Sequence, residues 1–414
     1  MSTNSFRNGL ICSAVLMLCC FSTAAFADSS GNTASSDPPT ISFHGFVDTT
    51  FFWQNQDFTF GNGQNAEWPE SNAGSNHNLS GFDVRNTRFW IDVSGDTMSS
   101  GWAVSGHLEG DFFGGFNGAG PYSSQQETPR LRQAFMKVSN ADSGSSFTIG
   151  QQWDLLFPID AVPESLAHIA FPLGFGTGMI GWRFPGVVYS QALGQASAGS
   201  MALRLDLAAF SGSWNGPGNN TNFDTAANVD FRPQIEARLH AEQGDWHGFV
   251  VGHYSSEDLS GVTGATPTPI TGSITSSALE LGTGWHPGPW SLVAAVYTGK
   301  GLGQVFGSLA QFGDISEHGG YVQGGYKFTP NWGVYLSYAT AHPNESDVIT
   351  WIGNGASGLL KTQQYAADLI FNDGPFGFGA EWMHATLDNT TAAAAGAVTT
   401  TSGNQFSLSA IYHF

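Results

Sequence analysis

Two groups of charged side chains in this sequence could act together on a solute. Arginines stand on the polar side of stretches in which polar and apolar residues alternate, and a guanidinium group in such a position is expected to line water. A proline-broken segment carries Asp154, Asp160 and Glu164. Opposed charges across a narrow aqueous passage create a transverse field, which orients polar solutes and penalises apolar ones. The basic candidates are Arg88, Arg130, Arg132, Arg204, Arg232 and Arg238.

The same arginines have an alternative role, which is to hold the surrounding wall together. Carboxylates on the polar side of nearby stretches are available as partners, and ion pairs of this kind are common. Both roles stay open for any single residue, whereas the group as a whole is interpreted as lining the passage. The other polar-side candidates are His107, Glu109, Asp111, Asp206 and Glu236.

The sequence predicts no enzyme, no metal site and no cofactor. It contains no GxSxG motif, and its histidines are scattered without the HxxxH or HxH spacing of a metal site. Two enzymatic alternatives are a lipase with a Ser–His–Asn group at its rim and a protease with an Asp/His cluster on its outer loops. The scattered histidines favour neither of them.

Composition and patterning indicate an all-β transmembrane protein, an antiparallel β-barrel. Charged residues make up 11% of the chain, against about 25% in soluble domains, and aromatic residues make up 13%. Beyond the N-terminal segment, no apolar run reaches the roughly 20 residues of a membrane helix. Alternating segments of about ten residues recur between long polar loops and short turns, as in barrels that face lipid outside and water inside. A large secreted β-protein is the alternative.

Sixteen strands are predicted, with fourteen and eighteen as the alternatives. An even count places both termini on the periplasmic side. The long segment after the fifth strand is expected to fold into the barrel and constrict its pore. The predicted strands are 41–53, 82–94, 102–112, 130–139, 147–153, 181–191, 201–211, 231–240, 246–255, 277–286, 290–300, 319–328, 332–341, 362–371, 376–387 and 405–414.

The two ends of the chain carry signals for export. Arg7, an apolar run over residues 9–21 and Ala25-Phe26-Ala27 predict a signal peptide over residues 1–27. Residues 28–40 are polar and are expected to form a short disordered periplasmic lead, followed by the barrel over residues 41–414. The last strand alternates and ends on an aromatic residue, Phe414, which is typical of outer-membrane proteins.

The charge balance argues against nucleic-acid binding. The chain carries 13 basic and 33 acidic residues, and removing Arg7 with the predicted signal leaves 12 − 33 = −21. Nucleic-acid binding requires basic surface instead. The sign of pore selectivity does not follow from this total, because loops and lumen are separate populations of charge.

Four stretches resemble the trimeric porins of Gram-negative bacteria, and in particular the DcaP-like group. They are FDVRNTRFWIDV, GHLEGDFFG, PRLRQAFMKV and FTIGQQW, with a weaker similarity in RPQIEARLHAE. The resemblance implies a sixteen-stranded homotrimer in the bacterial outer membrane, in contact with its lipid and lipopolysaccharide. It also implies passive uptake of small hydrophilic solutes, with a preference for small anions such as dicarboxylates.

Carried over by position, the resemblance makes Arg88, Arg130 and Arg132 the basic side of a constriction that faces the acidic pore loop. The fullest members of the group have an N-terminal coiled coil, for which residues 28–40 are too short. Phosphate-selective porins use a lysine-rich pore, and this chain carries only four lysines after the predicted signal, Lys137, Lys300, Lys327 and Lys361.

A different class of function is the alternative. The chain could be a structural or interaction barrel whose acidic loops bind lipopolysaccharide, through divalent cations, or a protein partner. The loop after the fifth strand discriminates between the two hypotheses. A channel needs an open, charged constriction, whereas a structural barrel can be plugged.

Overall fold

The structure is a computed structural model, and it describes residues 39–59, 61–71, 78–114, 127–168, 177–194, 199–211, 232–258, 270–391 and 397–414. The predicted signal peptide, residues 28–38 of the predicted lead and Phe231 lie outside the described residues.

The described residues form one antiparallel sheet that closes on itself. The first strand pairs with the last from Phe46–His413 to Gln54–Gln405, which closes the barrel. The strand segments are β1 (40–54), β2 (79–83), β3 (88–97), β4 (103–111), β5 (130–140), β6 (145–153), β7 (183–193), β8 (202–210), β9 (234–243), β10 (246–258), β11 (273–285), β12 (290–300), β13 (316–327), β14 (332–343), β15 (359–373), β16 (376–389) and β17 (399–413).

The barrel has sixteen strands, as the sequence predicts, because β2 and β3 are two parts of one strand. Both pair with β1, at Thr50–Asp83 and at Phe46–Arg88, so they occupy one strand position in the sheet. The 17 strand segments of the described residues therefore form 17 − 1 = 16 barrel strands. Fifteen of the predicted strands each overlap one observed strand, and the predicted strand 82–94 overlaps both β2 and β3. The segmental alternation therefore predicted both the fold class and the strand count.

The break between β2 and β3 is a difference from the single strand predicted over residues 82–94. Arg85 turns back onto Asp83, with its Nε and Nη2 donating to the carboxylate at 2.9 and 2.6 Å. The Asn86 amide donates to the carboxylate of Asp48 at 2.7 Å. These side-chain bonds satisfy buried polar groups in place of the regular sheet pairing.

The two faces of the wall differ as they do in a membrane barrel. On β1 the outward positions include Ile41 and Phe51, which are exposed, while the inward positions include Asp48, Thr50 and Gln54, which are buried. A wall that is apolar outside and polar inside suits lipid on one side and water on the other. No helix in the described part of the chain is long and apolar enough to span a membrane.

The segment after the fifth barrel strand, β6, lies inside the barrel, as predicted. Tyr321 of β13 donates its hydroxyl to the carbonyl of Ala161 at 2.8 Å. Ser165 donates its hydroxyl to the carboxylate of Glu381 in β16 at 2.7 Å. Since β13 and β16 are far from β6 around the barrel, residues 154–168 must cross its interior. We call residues 154–168 the pore loop.

Two other connections also pack against the inner wall. Gln364 of β15 donates to the carbonyl of Glu67 at 3.0 Å, which holds the connection between β1 and β2 inside. Gly181 donates to the carbonyl of Val305 at 2.8 Å, which joins the connection after β12 to the residues before β7. One short helix, α1 (Glu345–Trp351), was not predicted. Together these connections narrow the passage that the barrel encloses.

Candidate pore constriction

Two neighbouring strands bring two arginines and two carboxylates together on the inner wall. Arg130 lies opposite Asp111 across β4 and β5 and donates to it through Nε at 2.9 Å and Nη2 at 2.6 Å. Arg132 donates to Asp111 through Nη1 at 2.9 Å and also bonds Glu109. A one-residue bulge in β5 opposite Glu109 and Gly110 leaves Arg132 without a backbone partner and places it beside Arg130.

Two further arginines adjoin this group and have no carboxylate partner among the described residues. Arg88 of β3 donates to the side-chain oxygen of Asn86 at 3.3 Å, and its guanidinium group lies 5.4 Å from the ring of Phe46. Arg183, at the start of β7, lies 4.3 Å from the ring of Trp182 and 4.8 Å from that of Trp153. Buried atoms of both guanidinium groups, Nε of Arg88 and Nη1 of Arg183, have no hydrogen-bond partner in the described structure.

We call Arg88, Arg130, Arg132 and Arg183 the arginine cluster. Against four guanidinium groups stand the carboxylates of Glu109 and Asp111, so the formal excess is 4 − 2 = +2. The ion pairs that the sequence left open as an alternative therefore exist for Arg130 and Arg132. The two carboxylates in these pairs balance the charge of only two of the four arginines.

Aromatic side chains support the cluster from the side of the pore loop. The rings of Trp153 and Phe157 stack at 3.8 Å, and Trp182 meets Trp153 edge-on at 6.2 Å. Gly150 has φ of +134°, and a Cβ there would lie 2.2 Å from the carbonyl oxygen of Ala134, so only glycine fits this close approach. Cations above aromatic faces are stabilised by the ring quadrupole, which suits guanidinium groups that lack carboxylate partners.

The three acidic residues of the pore loop occupy different environments. Asp154 is buried, accepts the backbone NH of Phe157 at 3.0 Å and supports the turn of the loop. Burial and the neighbouring carboxylate of Glu236 hold the pKa of Asp154 well above its usual range. Asp160 is one-third exposed, with its Oδ2 atom 3.5 Å from Nε2 of His240, and Glu164 is exposed.

No ion pair within the described residues joins these three carboxylates to Arg88, Arg130 or Arg132. The structure instead attaches the pore loop to the wall through other groups. Gln323 of β13 forms two bonds with the backbone of Glu164, at 2.7 and 2.9 Å. Glu236 of β9 accepts the backbone NH of Leu155 at 2.6 Å.

The remaining predicted residues lie elsewhere around the lumen. His107 contacts Asp92 at 2.7 Å and stacks on Phe135. Arg204 and Arg238 both bond Asp206, on the neighbouring strands β8 and β9. Arg232 lies just before β9 and is exposed. These residues do not join the arginine cluster.

Arg183 is the member of the cluster that the sequence analysis did not select as a candidate. It stands at the start of a strand, where the alternation gives no inward or outward assignment. The adjacent Trp182 was the available signal, because arginine stacks readily on aromatic rings. Among the described residues, no group of three or more His, Cys, Asp or Glu could hold a metal ion.

Comparison with known proteins agrees with this geometry. A family model described as Gram-negative porin matches residues 13–347. The chain belongs to the Gram-negative porin family. Family and fold therefore indicate a channel of the bacterial outer membrane rather than an enzyme. A search of curated proteins finds no match.

Several solved structures of membrane channels and outer-membrane proteins have a similar fold. The outer-membrane channel DcaP of Acinetobacter baumannii is 18% identical, with 91% of this chain and 97% of that chain covered and a TM-score of 0.66. An anion-selective porin from Comamonas acidovorans is 12% identical, with 91% and 100% covered and a TM-score of 0.58. OmpT of Vibrio cholerae is 14% identical, with 92% and 98% covered and a TM-score of 0.54. At these identities the likeness concerns the fold alone.

Proposed function

We propose that this porin is a passive diffusion channel for small hydrophilic solutes with a preference for small anions such as dicarboxylates. The observation that carries the proposal is the formal excess of two positive charges in the arginine cluster. In a narrow, low-dielectric passage, fixed charge of one sign raises the local concentration of the opposite ion. The similarity in fold to a porin named as anion-selective agrees with this proposal.

The acidic residues of the pore loop offset the positive charge of the arginine cluster less than the formal charge of those residues suggests. Burial beside Glu236 raises the pKa of Asp154 and favours its neutral form, so Asp154 contributes less negative charge than Asp160 and Glu164. Both are at least one-third exposed, where water screens them. The proposed selectivity therefore follows the arginines and not the net charge of −20 for the whole chain.

We also propose that the channel works as a homotrimer, after removal of the signal peptide over residues 1–27. Residues 28–39 would then be a periplasmic lead, one residue shorter than predicted, because Thr40 begins β1. Trimeric assembly is what the resemblance to trimeric porins implies. The alternative, a structural barrel that binds lipopolysaccharide or a partner through acidic loops, predicts no conductance.

The test is single-channel recording of the purified protein in planar bilayers under a KCl gradient. The proposal predicts conductance that closes in three steps and a zero-current potential of the sign that chloride preference produces. Cation preference would contradict the anion preference while keeping the channel. Absence of conductance from protein with an intact, heat-modifiable barrel would favour the structural alternative.

A further inference from the structure

The connection between β12 and β13 contains a stretch of backbone in the left-handed conformation. Its φ angles are +62° at Phe306, +51° at Ser308, +55° at Leu309 and +56° at Ala310. Among the described residues, these are the only ones other than glycine with positive φ. Such a conformation costs free energy when a side chain is present, and it persists only where surrounding contacts hold it. We call residues 301–315 the strained connection.

Buried polar contacts hold the strained connection in this conformation. Ser308 is buried and donates its hydroxyl to the Oε1 atom of Glu317, in β13, at 3.0 Å. The side-chain amide of Gln311 donates to the carbonyl of Ser308 at 3.0 Å and to that of Leu359, in β15, at 2.7 Å. These bonds anchor the connection to two barrel strands. They give it one defined shape, and that shape fixes where the ring of Phe306 lies.

The strained connection places Phe306 against the residues that precede β7. The ring centroids of Phe306 and Trp182 lie 4.5 Å apart, and the carbonyl of Val305 accepts the backbone NH of Gly181 at 2.8 Å. On its other side Gly181 lies against the pore loop, since a Cβ added there would be 2.4 Å from the backbone nitrogen of Phe157. The residues before β7 are therefore enclosed between the pore loop and the strained connection.

Trp182 in turn contacts an arginine that has no carboxylate partner among the described residues. The guanidinium group of Arg183 lies 4.3 Å from the ring of Trp182, and that of Arg130 lies 6.0 Å from it. A ring attracts a cation over its face, so the orientation of Trp182 decides where the guanidinium group of Arg183 is stabilised. Trp153 meets Trp182 edge-on at 6.2 Å. Phe306 is therefore the nearer of these two aromatic contacts of Trp182.

We propose that Phe306 is a positioning residue for ion selectivity. The strained connection holds the ring of Phe306 against Trp182, and Trp182 holds the guanidinium group of Arg183 beside the passage. This inference rests on the proposed anion channel and deepens it, because a connection between β12 and β13 then controls a charge at the start of β7. Phe306 carries no charge itself, so its effect on selectivity depends on the charge that it positions.

The test is the zero-current potential of full-length variants in planar bilayers under a KCl gradient. Arg183→Gln removes the positioned charge and should lower the chloride-to-potassium permeability ratio about 1.5-fold. Phe306→Ala leaves every charge in place and should cause a fall of the same size, whereas Phe306→Tyr keeps the ring and should keep the wild-type ratio. In the Arg183→Gln background, Phe306→Ala should cause no further fall, because the group through which Phe306 acts is gone.

Two control variants separate positioning from general disturbance of the barrel. Phe312→Ala removes the same type of side chain from the same connection, but Phe312 packs in another apolar cluster, with Ile315 and Trp351. Lys327→Gln removes a charge at the exposed end of β13. Both controls should leave the permeability ratio unchanged. Phe306→Leu keeps apolar bulk without the ring and should also lower the ratio, which preserves the test if Phe306→Ala yields no folded barrel.

Three results would overturn the positioning role. They are a wild-type ratio in both Phe306→Ala and Phe306→Leu, an equal fall in Phe312→Ala, and a further fall when Phe306→Ala is added to Arg183→Gln. These results are separate from failure of the proposed function. Cation preference in the wild-type channel would contradict the anion channel, yet Phe306→Ala and Arg183→Gln should still shift the ratio equally.

Discussion

At the scale of single residues, the pore wall depends on which charges are paired and which are not. Arg130 and Arg132 are bound by Glu109 and Asp111, so they contribute to the shape of the wall as well as to its field. Arg88 and Arg183 contact aromatic rings and have no carboxylate partner in the described residues. The unpaired members therefore contribute most of the net field.

Substitutions of Asp154 and Asp206 test how much each carboxyl contributes to the electric field in the pore. Asp154→Asn removes a carboxyl whose pKa burial raises, so the zero-current potential at neutral pH should change less than it does in Asp206→Asn. Asp206→Asn removes a carboxylate that two guanidinium groups share, and should shift the potential toward stronger anion preference. The measurement is the zero-current potential of both variants under the same KCl gradient.

The pH dependence follows from the direction of the Asp154 pKa shift. A raised pKa means that this carboxyl ionises at a higher pH than an ordinary aspartate. Anion preference of the wild type should therefore decline as the pH rises, and Asp154→Asn should remove that part of the decline. An equal decline in both proteins would show that ionisation of Asp154 does not contribute to the pH dependence.

At the scale of elements, the pore loop is held by side chains from distant strands. Gln323 of β13 bonds both the NH and the carbonyl of Glu164, as a neighbouring strand would. Glu381 of β16 accepts from Ser165 and lies 2.5 Å from Nδ1 of His168. Several hydrogen bonds hold the pore loop to one side of the barrel wall. They thereby set the width of the opening between the pore loop and the opposite side of the wall.

Removing one attachment should widen the passage. Gln323→Ala deletes two hydrogen bonds to the pore loop, each worth about 1 kcal/mol. We expect larger sugars to enter variant-containing liposomes, measured by swelling rates across a series of sugar sizes. Gln363→Ala is the control, since Gln363 faces outward and bonds the hydroxyl of Tyr338. An unchanged size limit in Gln323→Ala would mean that the other attachments suffice.

The elements differ in how far the sequence predicts them. Alternation of polar and apolar residues with a period of two predicts the strands, because one face of each strand meets lipid and the other meets water. The helix α1 was missed although Asn344 accepts the NH of Asp347, a typical N-cap, because seven residues are too few for a periodic pattern. The break at Arg85 depends on buried contacts with Asp83, which spacing alone does not reveal.

The candidate site was predictable only in part, for a similar reason. Arg88, Arg130 and Arg132 stand on polar faces, and the structure brings them together. The placement of Arg183 depends on the packing of Trp153 and Trp182, which arises only when the pore loop enters the barrel. The burial of Asp154 depends on that packing as well, so the raised pKa of this carboxyl could not be predicted from the sequence.

At the scale of the whole molecule, the barrel places one cationic cluster within an acidic protein. Closure of the sheet brings β1 beside the C-terminus, where Gly45 and Phe414 exchange backbone hydrogen bonds at 3.1 and 3.0 Å. This rigid frame holds the arginine cluster on β3, β4, β5 and β7 in one fixed part of the lumen. The net charge of −20 belongs to the whole chain, whereas the proposed selectivity depends on the charges beside the passage.

The most direct test of the central claim is the zero-current potential of the double variant Arg88→Gln and Arg183→Gln. These changes remove the two unpaired charges and leave the bound pairs of Asp111 intact. Relative to the wild type, we expect the chloride-to-potassium permeability ratio to fall at least about twofold, while Lys327→Gln leaves it unchanged. A ratio that stays at the wild-type value in the double variant would contradict the assignment of selectivity to the arginine cluster.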